Sequence, residues 1–284
     1  MNVLLFGASG MLGRELKPAL EKIGVSVFAP SHAECDLTDL QSVDRALKDK
    51  IDFVINAAAL INVDDIEQHP SEAVAVNTVA AGHIARRIAE RDTNIPYLYV
   101  STHYVFGDEK EVYREDDTPS PLNKYGETKA EGERLVEAHL RGGTYYIMRT
   151  SWLFGGGSTF IDEVVRMLME DRTYPASEQR GNPTYTVHLA KGIVDTFLSG
   201  DMQSGIYHLT NACENERGVS RYEIAYEISR ILKKSSALVE RVTAGRVFKT
   251  PRPQHAALLS TKLPPLPNWR VALKEYIEKR YGLK

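Results

Sequence analysis

A tyrosine and a lysine stand four residues apart in PLNKYGETKAEGE, residues 121–133, as Tyr125 and Lys129. On a helix that spacing puts them on one face, one turn apart, and by itself it describes many solvated helix surfaces. Upstream, YLYVSTHYVFG closes an apolar run with two hydroxyls, Ser101 and Thr102. A hydroxyl at a strand's carboxyl end, a tyrosine and a lysine can together reduce a carbonyl. The oxygen that gains charge is held by the hydroxyl and takes a proton from the tyrosine. Phenol is a poor acid near neutrality, with an ordinary pKa of about 10. The lysine's charge would stabilise the phenolate, and its ammonium can also bond a cofactor ribose. Thr102, Tyr125 and Lys129 are the candidate catalytic residues.

A second constellation supplies what such chemistry needs. GASGMLG places Gly7, Gly10 and Gly13 directly after a short strand and at the mouth of a helix. A turn without side chains lets a dinucleotide pyrophosphate approach the backbone, and the helix N-terminus offers free N–H groups. The spacing is G-x-x-G-x-x-G, with Ser9, Met11 and Leu12 between the glycines. The second strand ends in FAPSHAECDLTD, with Pro30, Ser31 and His32 where an acid would bind a ribose 2′-hydroxyl and repel a 2′-phosphate. NADPH is therefore accommodated and NADH is not excluded. Arg14 is a candidate for the 2′-phosphate, and Asp36 is placed near the adenine.

These residues need a scaffold. Through the first half, short apolar runs (NVLLFGA, VSVFAP, IDFVINAAA, PYLYVSTH, TYYIMRTS) alternate with helical patterns, which implies right-handed βαβ units and a parallel sheet covered on both faces. SEAVAVNTVAAGHIARRIAERD reads as one long helix, and DLQSVDRALKDK as a helix opened by Asp39. The fold class is α/β: a Rossmann-type doubly wound parallel sheet with a smaller C-terminal α/β substrate domain. Residues 1–150 form the dinucleotide-binding part and residues 151–284 mainly the substrate part. The two are interleaved, because a strand near 205–211 returns to the sheet. The acidic run DEKEVYREDD reads as a solvated loop, and TPRPQHAALLSTKLPPLPNW as an ordered one.

Bulk properties exclude other classes. The 284 residues are 43% hydrophobic and 26% charged with a net charge of −3, so no basic excess points to nucleic acid or an anionic membrane. No apolar run is long enough to span a bilayer, and the N-terminus does not read as a signal peptide. Cys35 and Cys213 form no CxxC and read as packed thiols. A reducing cytoplasm is the expected compartment.

GASGMLG, NAAA, STHYVFG and YGETKAEGE resemble the extended short-chain dehydrogenase/reductase superfamily. INVDDIEQHPSEAVAVN, RTSWLFG, EQRGNPT, GIYHLTN, RPQHAALLSTKL and LPNWRVALKEYI resemble the dTDP-4-dehydrorhamnose reductase family along nearly the whole chain. The resemblance implies NADPH- or NADH-dependent reduction of the C4 keto group of dTDP-4-dehydro-6-deoxy-L-mannose to dTDP-L-rhamnose. It implies Thr102, Tyr125 and Lys129 as catalytic. It implies cofactor contacts from Gly10, Met11 and Leu12, from Asp36 and Leu37, and from Ala58, Ala59 and Leu60. Trp152 becomes a wall of the sugar pocket and His103 a neighbour of the substrate. Arg252, in the loop that closes the nucleotide-sugar site, is a diphosphate contact, since its fixed fork of donors suits phosphate oxygens. Some family members hold Mg²⁺ at a dimer contact through an acid at the position of Glu15. One glutamate does not make a metal site, and a homodimer rests on the same resemblance.

Five positions depart from the family pattern: His103 for an aspartate, Leu60 and Ile61 for polar groups, His188 for an aspartate and His255 for a serine. These changes bear on which sugar is taken. Two other readings stay open. One is an epimerase or dehydratase of the same superfamily, although THY lacks the acid pair that dehydratases need. The other is a non-catalytic subunit like the regulatory partner of methionine adenosyltransferase, against which the intact Thr102, Tyr125 and Lys129 argue.

Overall fold

The computed structural model describes residues 1–47, 50–91, 95–198 and 201–283. Six parallel strands form the central sheet: β1 (Asn2–Phe6), β2 (Ser26–Phe28), β3 (Phe53–Asn56), β4 (Tyr97–Thr102), β5 (Tyr145–Thr150) and β6 (Gly205–His208). Their order is β2-β1-β3-β4-β5-β6. The order reverses between β1 and β3, so the loops after those strands diverge and leave a crevice at their carboxyl ends. Gly7 and Ala58 open that crevice.

Alternation along the strands builds a core on each face. Tyr97 and Tyr99 of β4 pack with Ala81, Ile84 and Val136 on one side. Leu98 packs with Leu16, Leu20, Ile193 and Phe197 on the other. A third core gathers Phe154, Ile161, Val165, Ile224, Trp269 and Leu273, all from the chain beyond β5.

Two expectations are corrected. The long helix predicted over 71–92 is interrupted: Pro70–Ala73 passes into a π-helical turn, Val74–Ala80, before regular helix resumes at Ala81–Glu90. Apolar periodicity cannot reveal an i→i+5 bulge, because the inserted residue rotates the face by only part of a turn. The tails of three predicted helices, Lys48 and Asp49, Asp92, and Ser199 and Gly200, lie outside the described residues. The acidic run is not simply solvated either. Glu115 is buried, and its carboxylate accepts hydrogen bonds from the Ser260 hydroxyl (2.7 Å), the Thr261 N–H (3.0 Å) and the Thr261 hydroxyl (2.9 Å). Asp108 accepts from the His255 N–H at 3.0 Å. These carboxylates hold the 250–261 loop, together with the short parallel pairing of Ala257–Leu258 with Val112–Tyr113.

Candidate active site

Thr102 ends β4, and its Oγ accepts the Tyr104 N–H at 3.2 Å, capping the single 3₁₀ turn His103–Val105. Tyr125 is the second residue of the helix Lys124–His139. The Asn123 side-chain oxygen Oδ1 caps that helix by accepting the Gly126 N–H at 3.0 Å. The helix lies close against its neighbours. A Cβ on Gly126 would come within 2.2 Å of the Tyr104 carbonyl, and one on Gly132 within 2.5 Å of the Asn77 carbonyl. That seating brings the Tyr125 hydroxyl beside the Thr102 hydroxyl. The Tyr104 ring stands edge-on to Tyr125, with centroids 5.5 Å apart.

Lys129 is buried one turn on. Its Nζ donates to the Val100 carbonyl at 2.8 Å and lies 3.9 Å over the Tyr99 ring. Burial raises the Tyr125 pKa well above the ordinary phenol value, with the Thr102 hydrogen bond opposing. Burial lowers Lys129 to about 7, with the Glu133 charge opposing. The protein alone therefore keeps Tyr125 protonated and Lys129 part-charged at neutrality. Ser101 takes no part in this corner. It faces the other way and bonds the Glu133 carboxylate, which is bidentate to buried Arg149 (2.7 and 3.0 Å).

The glycine loop forms a cradle that only glycines fit. Gly7 has φ +81°, and a Cβ there would meet the Ala58 nitrogen at 2.5 Å; one on Gly13 would meet the Gly7 carbonyl at 2.1 Å. Beside it opens a cavity of about 540 Å³. Gly7, Ser9, Gly10, Asp36, Leu37, Ala58, Ala59 and Leu60 line it, among others. Its size and glycine rim suit the adenosine half of a dinucleotide. Met11 and Leu12 lie on the other side of the turn: Leu12 is buried, and the Met11 carbonyl faces Gly156. Asp36 accepts the Thr38 N–H and hydroxyl, both at 2.8 Å, which hold its carboxyl below the usual range.

Arg14, the candidate for the 2′-phosphate, is engaged within the protein. Its guanidinium donates to the Ser9 carbonyl (2.7 Å) and the Gly156 carbonyl (3.1 Å), tying the glycine loop to the 155–157 loop. Lys17, one turn further, lines the cavity with Pro30, Ser31 and His32. Helical spacing could have singled it out, since Arg14 and Lys17 lie on adjacent turns of one face.

Asn77 was also missed. Its side chain accepts the Leu60 N–H (2.9 Å) and donates to the Leu60 carbonyl (3.0 Å) and the Thr128 hydroxyl (3.1 Å). It thus fixes the Ala58–Leu60 strap against the Tyr125 helix. Its only signal was an amide inside the apolar run VAVNTVAA.

Trp152 has φ +36°, a left-handed conformation uncommon for a bulky residue. The twist sets its ring edge-on to His103 (6.3 Å) and Phe160 (6.0 Å), above Gly181, where a Cβ would be 3.1 Å from the indole. His103 is buried and held neutral, its pKa pushed down to about 3 by burial and by the nearby Arg221 charge, against a hydrogen bond to the Thr150 backbone. Arg252 pairs with Asp64 at 3.1 Å and stacks over Phe248 at 4.2 Å. Glu15 sits beside Gly156, and among the described residues no group of three or more His, Cys, Asp or Glu could hold a metal. A separate cavity of about 670 Å³, lined by Glu115, Glu133 and Arg149, has neither the glycine cradle nor the Tyr125 corner.

The chain has close parallels in sequence and fold. Residues 1–281 match the model of the RmlD substrate binding domain family. The chain is 37% identical to a dTDP-4-dehydrorhamnose reductase of Streptomyces griseus, over 96% of this chain and 91% of that one. It is 35% identical to a dTDP-4-keto-6-deoxy-D-glucose reductase of Streptomyces niveus, over 96% and 95%. Among solved structures, a dTDP-4-dehydrorhamnose reductase of Clostridium acetobutylicum superposes with a TM-score of 0.88 at 30% identity, covering 98% and 99% of the two chains. One from Bacillus anthracis in complex with NADP also gives 0.88, at 25% identity over 98% and 99%. The chain belongs to the dTDP-4-dehydrorhamnose reductase family.

Proposed function

We propose that this chain reduces the C4 keto group of dTDP-4-dehydro-6-deoxy-L-mannose with NADPH, giving dTDP-L-rhamnose. The Thr102–Tyr125 hydroxyl pair, with Leu60 of the cofactor cavity packed against the Tyr104–Tyr125 cluster, carries the reading. The reduced nicotinamide, when bound, supplies the hydride for C4. Tyr125 then donates its proton to the C4 oxygen, and Thr102 bonds the same oxygen while charge collects there. Burial suits Tyr125 to this direction, because a phenol must be protonated to act as an acid. The phenolate left behind is stabilised by the Thr102 hydroxyl and by the Lys129 charge. Trp152 offers an apolar wall to the sugar ring, and His103 meets the substrate as a neutral group. Gly7 to Gly13, Asp36, Leu37 and the Ala58–Leu60 strap hold the dinucleotide, with Lys17 in place of Arg14 facing the 2′-phosphate. Residues 151–284 mainly serve the nucleotide-sugar, apart from β6 in the sheet.

The test is incubation of purified protein and NADPH with dTDP-4-dehydro-6-deoxy-L-mannose, made in situ from dTDP-glucose by upstream enzymes. The C3/C5 epimer, dTDP-4-keto-6-deoxy-D-glucose, runs in parallel. Substrate-dependent NADPH loss with dTDP-rhamnose as product supports the reading. Turnover of the epimer alone would move the activity to that sugar, and turnover of neither would overturn it.

A further inference from the structure

The buried Arg221 is absent from the site described so far. It opens the helix Arg221–Ile231, and its backbone N–H donates to the Gln179 carbonyl at 3.1 Å. Only 8% of its surface is exposed. Its guanidinium carbon lies 4.7 Å from the Trp152 ring, 4.3 Å from Phe160 and 5.2 Å from Phe248. No side-chain hydrogen bond or ion pair reaches it among the described residues, and its Nε is buried without a partner. Burial pulls its pKa down and the Arg252 charge adds to the effect, against Tyr104, Tyr174 and the Glu163 carboxylate, which oppose it. Arg252 stacks on the same Phe248 and also has an unpartnered buried Nε, although Asp64 neutralises part of its charge.

A buried guanidinium without an anion is costly, and stacking on aromatic rings offsets only part of that cost. Two guanidinia around one phenyl ring make the imbalance worse. The neighbourhood on the far side of Trp152 gives no relief, since His103 there is neutral. The protein has thus built a buried, aromatic-walled cation that Glu163 influences without pairing with it, which leaves its donors open to an anionic ligand. The row Thr102, His103, Trp152, Arg221 runs outward from the reacting corner. A sugar with C4 at Thr102 and its ring on Trp152 directs its anomeric phosphate along that row.

We infer that Arg221 is the principal ligand for the diphosphate of the nucleotide-sugar, with Arg252 as its second cation. The inference rests on the nucleotide-sugar reading above, but its test is separable. A diphosphate fits because it brings two negative charges and several acceptors within the span of one guanidinium fork.

The experiment is calorimetric titration of the NADPH-loaded enzyme with dTDP, with thymidine as the uncharged control and inorganic pyrophosphate as the bare anion. Wild type, Arg221→Met and Arg221→Lys are compared, and the melting temperature of each is recorded. Arg221→Met is expected to weaken dTDP roughly 10- to 100-fold and to leave thymidine and NADPH binding unchanged. Its melting temperature should equal or exceed that of wild type, because an apolar side chain of similar length replaces an unpaired buried charge. Arg221→Lys should recover part of the dTDP affinity. Unchanged dTDP affinity in Arg221→Met would overturn the inference even if wild type turns over the sugar. So would a large fall in melting temperature with proportional loss of all ligands, which marks a structural role. Pyrophosphate binding with no preference for dTDP would also overturn it, by showing a general anion site. If dTDP binds through Arg221 but no 4-keto sugar is reduced, the inference stands and the reductase reading fails.

Discussion

Ser101 and Thr102 are neighbours on one strand, yet they open onto two unlike polar regions. Ser101 leads to Glu133 and through it to Arg149, which is in register with it across the sheet. That guanidinium is buried and paired bidentately, and it also stacks on Phe106 at 4.8 Å. Thr102 leads to Tyr125, Lys129, His103 and, past Trp152, to Arg221. There burial shifts every one of those titratable groups away from its charged form, and among the described residues no carboxylate forms an ion pair with Arg221. The first region is complete within the protein. The second is left incomplete, as a site that must accept charge from a ligand and from a reaction should be. A buried charge by itself does not tell the two apart; how it is satisfied does.

That contrast can be broken from either side. The largest effect is expected in the Thr102 region. Tyr125→Phe should lower kcat by roughly 10²- to 10⁴-fold while melting temperature and NADPH affinity, read by calorimetry, stay near wild type. Glu133→Ala should do the converse. It strands Arg149 and is expected to destabilise the fold by about 3–5 kcal/mol, visible as a lower midpoint in urea. If Glu133→Ala were neutral in stability, the two regions would not differ as described.

Thr102→Val, close to isosteric, should cost kcat roughly 10²-fold through the lost bond to the C4 oxygen. The pH dependence sharpens the role of Lys129. Its ammonium is present below about pH 7 and lost above it. The value of kcat/KM for NADPH should therefore fall by up to about tenfold per pH unit above that point. Lys129→Met should lower the rate and abolish this break. A profile flat to pH 9 would remove the lysine charge from the account. The smallest effect is expected at Lys17, where replacement by alanine should weaken NADPH a few-fold and leave NADH binding unchanged, measured by competitive titration.

The two regions also differed in how far the sequence exposed them. The glycine cradle and the Tyr125–Lys129 spacing were legible because local chemistry demands them: a Cβ at Gly7 would strike Ala58, and a helical turn separates the two side chains. The alternation of strands and helices was legible for the same reason, since each strand needs both faces covered. The sugar pocket was much less so. Trp152, Gly181, Arg221, Phe248 and Arg252 come from separate segments, and only the fold joins them. Nothing in the sequence sets Arg221 apart, and its burial in the first turn behind the Ser220 cap comes from the fold. Glu115 looked like one more acid in a charged run, and its burial depends on a loop nearly 150 residues later. Asn77 was hidden because a π turn leaves the apolar period nearly intact.

The most direct test of the central claim follows the hydride itself. NADPH carrying deuterium at nicotinamide C4, in separate pro-R and pro-S forms, is incubated with dTDP-4-dehydro-6-deoxy-L-mannose, and the product is read by NMR. One labelled form should place deuterium at C4 of dTDP-rhamnose, with one cofactor consumed per sugar. Product formed without deuterium at C4 from either form, or sugar converted without net cofactor consumption, would contradict the reductase account and point to an epimerase-like cycle.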